Sequence, residues 1–145
     1  MIPSTFTRSL LSDPRELEHI LPDLSIFLGQ HEVEGSVTYV VELCVEELLL
    51  NAMTHGYRGE TNRPIALRLE LHDSRNATLD VEDEGESFDP RSTPDPDFDG
   101  MLTGERIGGL GLHLVRSLAT SVEYKRLENR NHVRVRIIPL PLAQG

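Results

Sequence analysis

Residues 37–56, VTYVVELCVEELLLNAMTHG, predict one amphipathic helix around which the rest of the chain is organised. At about 100° per residue, the apolar side chains fall on one broad arc of this helix, whereas Glu46 lies outside it. Glu47, Asn51 and His55 are spaced four residues apart and form a polar stripe inside that arc. A buried carboxylate or amide without a partner costs several kcal/mol. We therefore expect either that something pairs with the stripe or that this face opens onto a cavity holding a polar ligand.

The composition predicts one soluble globular domain over residues 1–145. The chain has 145 residues, of which 38% are apolar and 26% are charged, enough for a two-layer core. The only cysteine, Cys44, lies on the apolar arc, so we expect a buried thiol and no internal disulfide, which suits the cytoplasm. The first residues lack the apolar core of a signal peptide, and no apolar run approaches the ~18 residues of a membrane span. The net charge of -10 argues against a surface that binds nucleic acid.

The segment before the organising helix predicts a strand and a second helix. Thr5–Leu11 is compatible with a short edge strand. Asp13-Pro14 supplies an N-cap followed by a proline in the first helical turn. The helix predicted over Arg15–Leu28 carries apolar residues at helical spacing, is open to disturbance at Pro22 and stops at Gly29.

After the organising helix, the pattern predicts two hairpins with a long loop and a helix between them. In chain order these are strands Pro64–Leu71 and Ala77–Glu82, a loop over residues 86–108, a helix from Leu110, and strands Ser121–Arg126 and His132–Ile138. A proline-rich, acidic loop of this length is typical of disorder or of a functional lid. Strands and helices in this order, without regular βαβ alternation, predict an α+β two-layer sandwich. Its mixed or antiparallel sheet would be covered by about three helices.

Four pieces of the sequence are suited to chemistry. They are the polar stripe, Asp83-Glu84-Gly85 at a strand end, the acidic loop, and Gly108-Gly109-Leu110-Gly111 before a helix. Taken singly, each has a plain structural interpretation: core polar groups bonded to backbone, a turn, or a surface loop. Glycines that open a helix let backbone N–H groups approach an anion, which the helix dipole also favours. The glycine segment is neither a P-loop nor the dinucleotide fingerprint, because it lacks their spacing.

The order of these four pieces resembles the GHKL ATPases, which include gyrase-type, chaperone-type, mismatch-repair-type and histidine-kinase ATP-binding domains. The shared pattern is a helix with E-x-x-x-N-A-x-x-H-G, a strand ending D-x-G, a lid, and G-x-G opening a helix. Within this superfamily, residues 47–57, ELLLNAMTHGY, are most similar to the bacterial anti-sigma-factor serine/threonine kinases. The resemblance covers nearly the whole chain and implies the GHKL ATPase fold, with an ATP lid over residues 86–108. A complete sensor histidine kinase is not expected, because no phosphoacceptor-histidine dimerisation helix precedes the domain.

The resemblance also implies a role for each matching residue. Asn51 would coordinate Mg²⁺, which would bridge the phosphates of ATP. Glu47 would be the general base for a Ser or Thr hydroxyl or for water. Asp83 would accept a hydrogen bond from the adenine amino group, and Gly85 would give room for the ring. The other cofactor-binding residues would be His55, Arg106, Gly108, Gly109, Gly111 and Leu112.

Two places depart from the family pattern. Ser87 stands where many members have the second glycine of D-x-G-x-G. Asn131-His132-Val133 occupies the region of the final strand that often carries a Thr near adenine, where that Thr makes a water-mediated contact. The lid and the adenine side of the site are therefore the places where this chain would differ.

The resemblance implies an ATP-dependent serine/threonine kinase that phosphorylates a small anti-sigma-factor antagonist and, in another state, sequesters a sigma factor. It also implies a homodimer built on the N-terminal strand and the first helix. Two other interpretations remain open. One is a nucleotide-sensing interaction module without catalysis. The other is an ATP-binding component that serves a two-component complex in trans.

Overall fold

The computed structural model describes residues 4–92, 94 and 110–138. In chain order, the elements are β1 Ser4–Leu11, a 3₁₀ turn Pro14–Glu16, α1 Leu17–Gln30, α2 Gly35–Asn51, a π-helical turn Ala52–Gly56, β2 Pro64–Asp73, β3 Asn76–Asp83, α3 Leu110–Leu118, β4 Ser121–Leu127 and β5 Arg130–Ile137. Most of the predicted lid lies outside the described residues.

The five described strands form one sheet in the order β1-β2-β3-β5-β4, and every neighbouring pair is antiparallel. Of the two sheet types expected from the sequence, the antiparallel one is therefore correct. β1 lies at one edge of the sheet, as the sequence predicts. Helix α2 contacts β3 and β5 of the sheet and both other helices. The predicted α+β two-layer sandwich with three helices is confirmed.

The core forms between the helices and one face of the sheet. Along β2, alternate side chains from Ile65 to Leu71 point into this core and are buried. Removing each such Leu or Ile side chain from water contributes ~1.5–3 kcal/mol. Cys44 of α2 is fully buried among them. Burial, followed by the charge of Glu47, raises the pKa of its thiol to about 12, so the sulfur stays protonated.

The opposite face of the sheet is polar and carries ion pairs between neighbouring strands. Arg134 of β5 pairs with Asp80 of β3 at 2.7 Å, and Arg130 pairs with Glu82 at 2.8 Å. Cross-strand pairs of opposite charge stabilise a sheet modestly. This polarity explains why the helices cover one face only.

Helix α1 differs from its predicted bounds. It continues through Pro22 and ends at Gln30, beyond the predicted stop at Gly29. Its buried stripe, which includes Leu24 and Leu28, packs on the core along the whole length and offsets the hydrogen bond that proline removes. Within the described residues, no helix is both long enough and apolar enough to cross a membrane.

Candidate active site

The last turns of α2 bring Glu47 and Asn51 to the same side of the helix, and both side chains are half-buried. The amide nitrogen of Asn51 donates to the backbone carbonyl of Glu47 at 2.5 Å. Among the described contacts this is the only hydrogen bond of the Asn51 side chain, so Oδ1 remains free to accept or coordinate. A hard cation such as Mg²⁺ prefers an oxygen of this kind, so Asn51 fits the predicted metal role.

The carboxylate of Glu47 lies against the start of α3. A Cβ added to Gly111 would overlap both carboxylate oxygens, so the two residues are in direct contact. In the part of the chain that the structure describes, the Glu47 side chain has no ion pair. Burial raises the pKa of this carboxyl, and the charge of neighbouring Glu46 raises it further. The arrangement gives a carboxyl poised to accept a proton beside the positive end of a helix.

A π-helical turn follows α2 and changes the course of the chain at His55. Its defining bond runs from the N–H of Tyr57 to the carbonyl of Ala52 at 2.9 Å. The wider turn alters the angular spacing, so His55 does not continue the half-buried stripe. Its ring is exposed and stacks on Phe88, with centroids 4.5 Å apart and planes 11° apart. The sequence pattern did not predict this contact.

The π-helical turn also brings Gly56 against the loop that follows β3. A Cβ added to Gly85 would lie 2.5 Å from the carbonyl oxygen of Gly56. That same oxygen accepts a hydrogen bond from the N–H of Glu86 at 2.7 Å. The space beside Gly85, predicted to accommodate a base, is therefore at least partly used by the backbone of Gly56.

Asp83, at the end of β3, is buried, with its side chain fixed by two donors. Oδ1 accepts from the N–H of Gly85 at 2.8 Å and from the side-chain amide of Asn131 at 2.9 Å. Burial raises the pKa of Asp83, while these hydrogen bonds and the charge of Arg126 oppose the rise. Both described hydrogen bonds of this side chain use Oδ1, which leaves Oδ2 for a donor on a ligand.

Asn131 belongs to the site, although sequence reasoning gave it no role. It is 2% exposed and hydrogen-bonds groups from β3, β4 and the loop after β3. The signal that would have found it is strand register, because Asn131 lies directly opposite Asp83 in the β3–β5 pair. The predicted strand began at His132 and so missed this pairing by one residue.

A small cavity lies between α2 and the sheet, with Asn51 and Asp83 among its walls. Phe88 and Pro90 line the same cavity, whose volume is about 20 Å³. That volume holds about one water molecule. A purine ring does not fit this volume, so at least one wall must move to admit it. Phe88 and Pro90 are the two lining residues that lie outside the helices and strands.

The remaining predicted residues divide into two groups. Arg106, Gly108 and Gly109 lie outside the described residues. Leu112 is described, and its side chain is buried in the core, so only its backbone could contact a ligand.

The described residues contain no group of three or more His, Cys, Asp or Glu side chains suited to a metal ion. A metal held here would therefore take most of its ligands from phosphate and water, as Mg²⁺ commonly does.

Comparison with known sequences places these features in a family. The family model of the histidine kinase-like ATPase domain matches residues 10–137. The serine/threonine-protein kinase BtrW of Bordetella bronchiseptica is 29% identical over 96 residues, which cover 66% of each chain. The serine-protein kinase RsbW of Bacillus subtilis is 30% identical over 103 residues, covering 66% of this chain and 59% of that protein. The chain thus spans about three fifths to two thirds of the length of these relatives.

Two solved structures share the fold. One contains the RsbU and RsbW domains of Rv1364c from Mycobacterium tuberculosis, with a TM-score of 0.65 and 14% identity, covering 95% of this chain and 33% of that one. The other is the histidine kinase domain of the blue-light activated histidine kinase EL346 from Erythrobacter litoralis, with a TM-score of 0.54 and 17% identity, covering 87% and 60% of the two chains. At these identities the likeness concerns the fold alone.

Proposed function

Since the chain belongs to the histidine kinase-like ATPase family, we propose that it is an ATP-dependent protein serine/threonine kinase. The observation that carries the proposal is the placement of Glu47 and Asn51 one helical turn apart, with Glu47 against Gly111 at the start of α3. Two relatives named as serine or serine/threonine kinases support transfer to a hydroxyl. Sequence and structure thus favour the same reaction class.

The side chains of the site divide the work of this reaction. Asn51 would hold Mg²⁺ through Oδ1, and the bound ion would offset negative charge on the phosphates. Glu47 would accept the proton of a Ser or Thr hydroxyl. The hydroxyl oxygen would at the same time bond to the γ-phosphorus of ATP, and the bond between that phosphorus and the leaving ADP would break. The raised pKa of Glu47 suits a general base working near neutral pH. Oδ2 of Asp83 would accept from the adenine amino group.

The substrate we propose is an anti-sigma-factor antagonist, with a sigma factor as a second partner in another nucleotide state. Both follow from the family resemblance, as does a location in the cytoplasm. The protein would act there as a homodimer, without binding nucleic acid or membrane. β1 supports the dimer, because it is an edge strand whose outer backbone groups can pair with another strand. Ile26 of neighbouring α1 is 59% exposed and would be covered in such a dimer.

Calorimetry with Mg-ATP tests the nucleotide site. The wild-type chain is expected to bind, and the Asn51→Ala variant is expected to lose the Mg²⁺-dependent part of the affinity. Absence of binding to the folded wild-type chain would remove the basis of the proposal.

Incubation with Mg-ATP and candidate antagonists from neighbouring genes tests the kinase step. The expected product is phosphoserine or phosphothreonine on the antagonist. A Glu47→Gln variant should bind ATP and fail to transfer. Equal transfer by this variant would assign the base to another group, and transfer to a partner histidine as acid-labile phosphate would instead indicate a two-component role in trans.

A nucleotide-sensing module without catalysis is the second candidate. The small volume of the cavity favours it, because a purine that displaced the segment carrying Phe88 and Pro90 would change the surface of the protein. A Glu47→Ala variant distinguishes the candidates in cells. Unchanged regulation of the partner would favour binding alone, whereas lost regulation with retained ATP binding would favour phosphoryl transfer.

A further inference from the structure

We propose that Asn131 is a positioning residue that sets the base specificity of the nucleotide site by holding Asp83 in one orientation. The inference rests on the proposed nucleotide-binding function and adds to it a residue and a selectivity.

The amide of Asn131 has no unused hydrogen-bonding capacity. Its nitrogen donates to Oδ1 of Asp83 at 2.9 Å and to the carbonyl of Glu86 at 2.7 Å. Its oxygen accepts from the hydroxyl of Tyr124 at 2.7 Å and from Nη1 of Arg126 at 3.0 Å. An asparagine side chain offers two N–H donors and one oxygen with two lone pairs, so all four positions are filled.

These partners also fix which way the amide faces. A reversed amide would turn its oxygen towards Asp83 and the carbonyl of Glu86, which are both acceptors. It would turn its NH₂ group towards the guanidinium of Arg126, which only donates. Because Arg126 also donates to the carbonyl of Gly85 at 2.7 Å, the guanidinium is itself anchored. The orientation of Asn131 is therefore specified from both sides.

The consequence for Asp83 is a carboxylate that presents one free acceptor. Asn131 and the N–H of Gly85 both hold Oδ1, which leaves Oδ2 without a described hydrogen bond, and Asp83 is one of the residues that line the cavity. An acceptor in this place favours a purine with an amino group at C6 and disfavours one with an oxygen there, because two acceptors would then face each other. Asn131 has no group left to contact the base, so it acts through Asp83.

Replacing the amide NH₂ by an acceptor should weaken this selectivity. In an Asn131→Asp variant, the retained oxygen still accepts from Tyr124 and Arg126, while the second oxygen faces Asp83. Two carboxyls this close share a proton. Asp83 also loses the N–H donor that holds Oδ1, so its carboxyl can turn and present either a protonated or an unprotonated oxygen to the ligand. The two classes of purine then become harder to distinguish.

The experiment measures the dissociation constants of Mg-ATP and Mg-ITP by calorimetry for the wild type and for Asn131→Asp. The wild type is expected to prefer ATP by at least about tenfold, and the variant should narrow this ratio about fivefold. Asn129→Asp makes the same chemical change at an exposed position of the neighbouring turn and should leave the ratio unchanged. A purely structural role of Asn131 would lower the melting temperature and weaken both nucleotides equally.

Each result has one meaning. A wild type that binds neither nucleotide overturns the proposed function, whereas a wild type that binds both equally overturns only the role of Asn131. A folded Asn131→Asp variant that keeps the full ratio also overturns it. If this variant does not fold, Tyr124→Phe removes one of the bonds that orient the amide. It should narrow the ratio about twofold, and an unchanged ratio in folded Tyr124→Phe would overturn the inference.

Discussion

The carboxylate of Glu47 lies directly against the α-carbon of Gly111 and occupies the space that any side chain at position 111 would need. The contact joins the polar stripe of α2 to the first turn of α3. The positive end of the α3 dipole favours a negative charge there, while burial disfavours it and raises the pKa of Glu47. The residue type at position 111 and the position of the proposed base therefore depend on each other.

Gly111→Ala is expected to destabilise the protein by ~1–3 kcal/mol, because the added methyl group displaces Glu47. On an unhindered helix the same change would stabilise by up to ~1 kcal/mol. Gly29→Ala in α1, where no atom lies within 4 Å of the added Cβ, provides that control. Urea denaturation measures both changes. A Gly111→Ala variant as stable as the wild type would show that the carboxylate moves aside at no cost.

Glu47→Gln is expected to stabilise the protein at neutral pH while lowering phosphoryl transfer at least about 100-fold. Since the pKa of Glu47 is raised by burial and then by Glu46, the folded state holds this proton more tightly than the unfolded chain. The wild type therefore loses stability as pH rises from the ordinary value of 4.5 through the folded pKa. The stability advantage of the Gln variant should grow across this window and level off above it, as urea denaturation at several pH values would show.

Glu46→Gln is the matched control for that prediction. It removes the neighbouring charge and leaves Glu47 in place, so transfer should persist. The pKa of Glu47 should fall, and the acid limb of the activity profile should move to lower pH. If the acid limb of the activity profile does not move in Glu46→Gln, a group other than Glu47 governs it.

The sequence was sufficient to predict the strands of the sheet, because the alternation of apolar and polar residues that marks a strand is a local pattern. In β2, strict alternation from Ile65 to Leu71 required one buried face, and the structure has it. Glu47 and Gly111 were both predicted to be site residues from motif order. Their direct contact was not predictable, because it depends on how α3 packs on α2.

The parts that sequence reasoning missed depend on geometry between distant segments. The π-helical turn at residues 52–56 keeps a helical pattern in its sequence, so the exposed position of His55 and its stacking on Phe88 were not visible. The role of Asn131 depends on its register opposite Asp83, which a one-residue difference in the strand start conceals. Hydrophobic periodicity predicts helices and strands well. It carries little information on which polar side chains from different helices and strands contact each other.

Tyr57→Phe is expected to cost ~1–3 kcal/mol of stability, because it leaves two polar groups without their partner. The buried hydroxyl of Tyr57 donates to the carbonyl of Pro64 at 2.5 Å and accepts from the N–H of Glu84 at 2.7 Å. It thereby ties the π-helical turn to both ends of the first hairpin. Hydrogen exchange of the Glu84 amide should accelerate in the variant.

Tyr39→Phe is the control for the loss of a tyrosine hydroxyl. Tyr39 lies on α2 and is 60% exposed, so its change should stay within about 0.5 kcal/mol. Equal stability of the two variants in urea denaturation would show that water replaces the partners of Tyr57.

Phe88→Ala is expected to speed the association of ATP about tenfold, because it removes a side chain that narrows the cavity proposed to take the adenine ring. The cavity of about 20 Å³ is too small for a purine, so we expect association of the wild type to wait for the segment carrying Phe88 and Pro90 to move. Stopped-flow fluorescence with a labelled ATP measures the rate. His55→Ala removes the ring that stacks on Phe88 without enlarging the cavity, so its acceleration should be smaller. Slower association in Phe88→Ala would mean that the ring contacts the incoming base, which would make Phe88 part of the binding surface instead of a barrier to it.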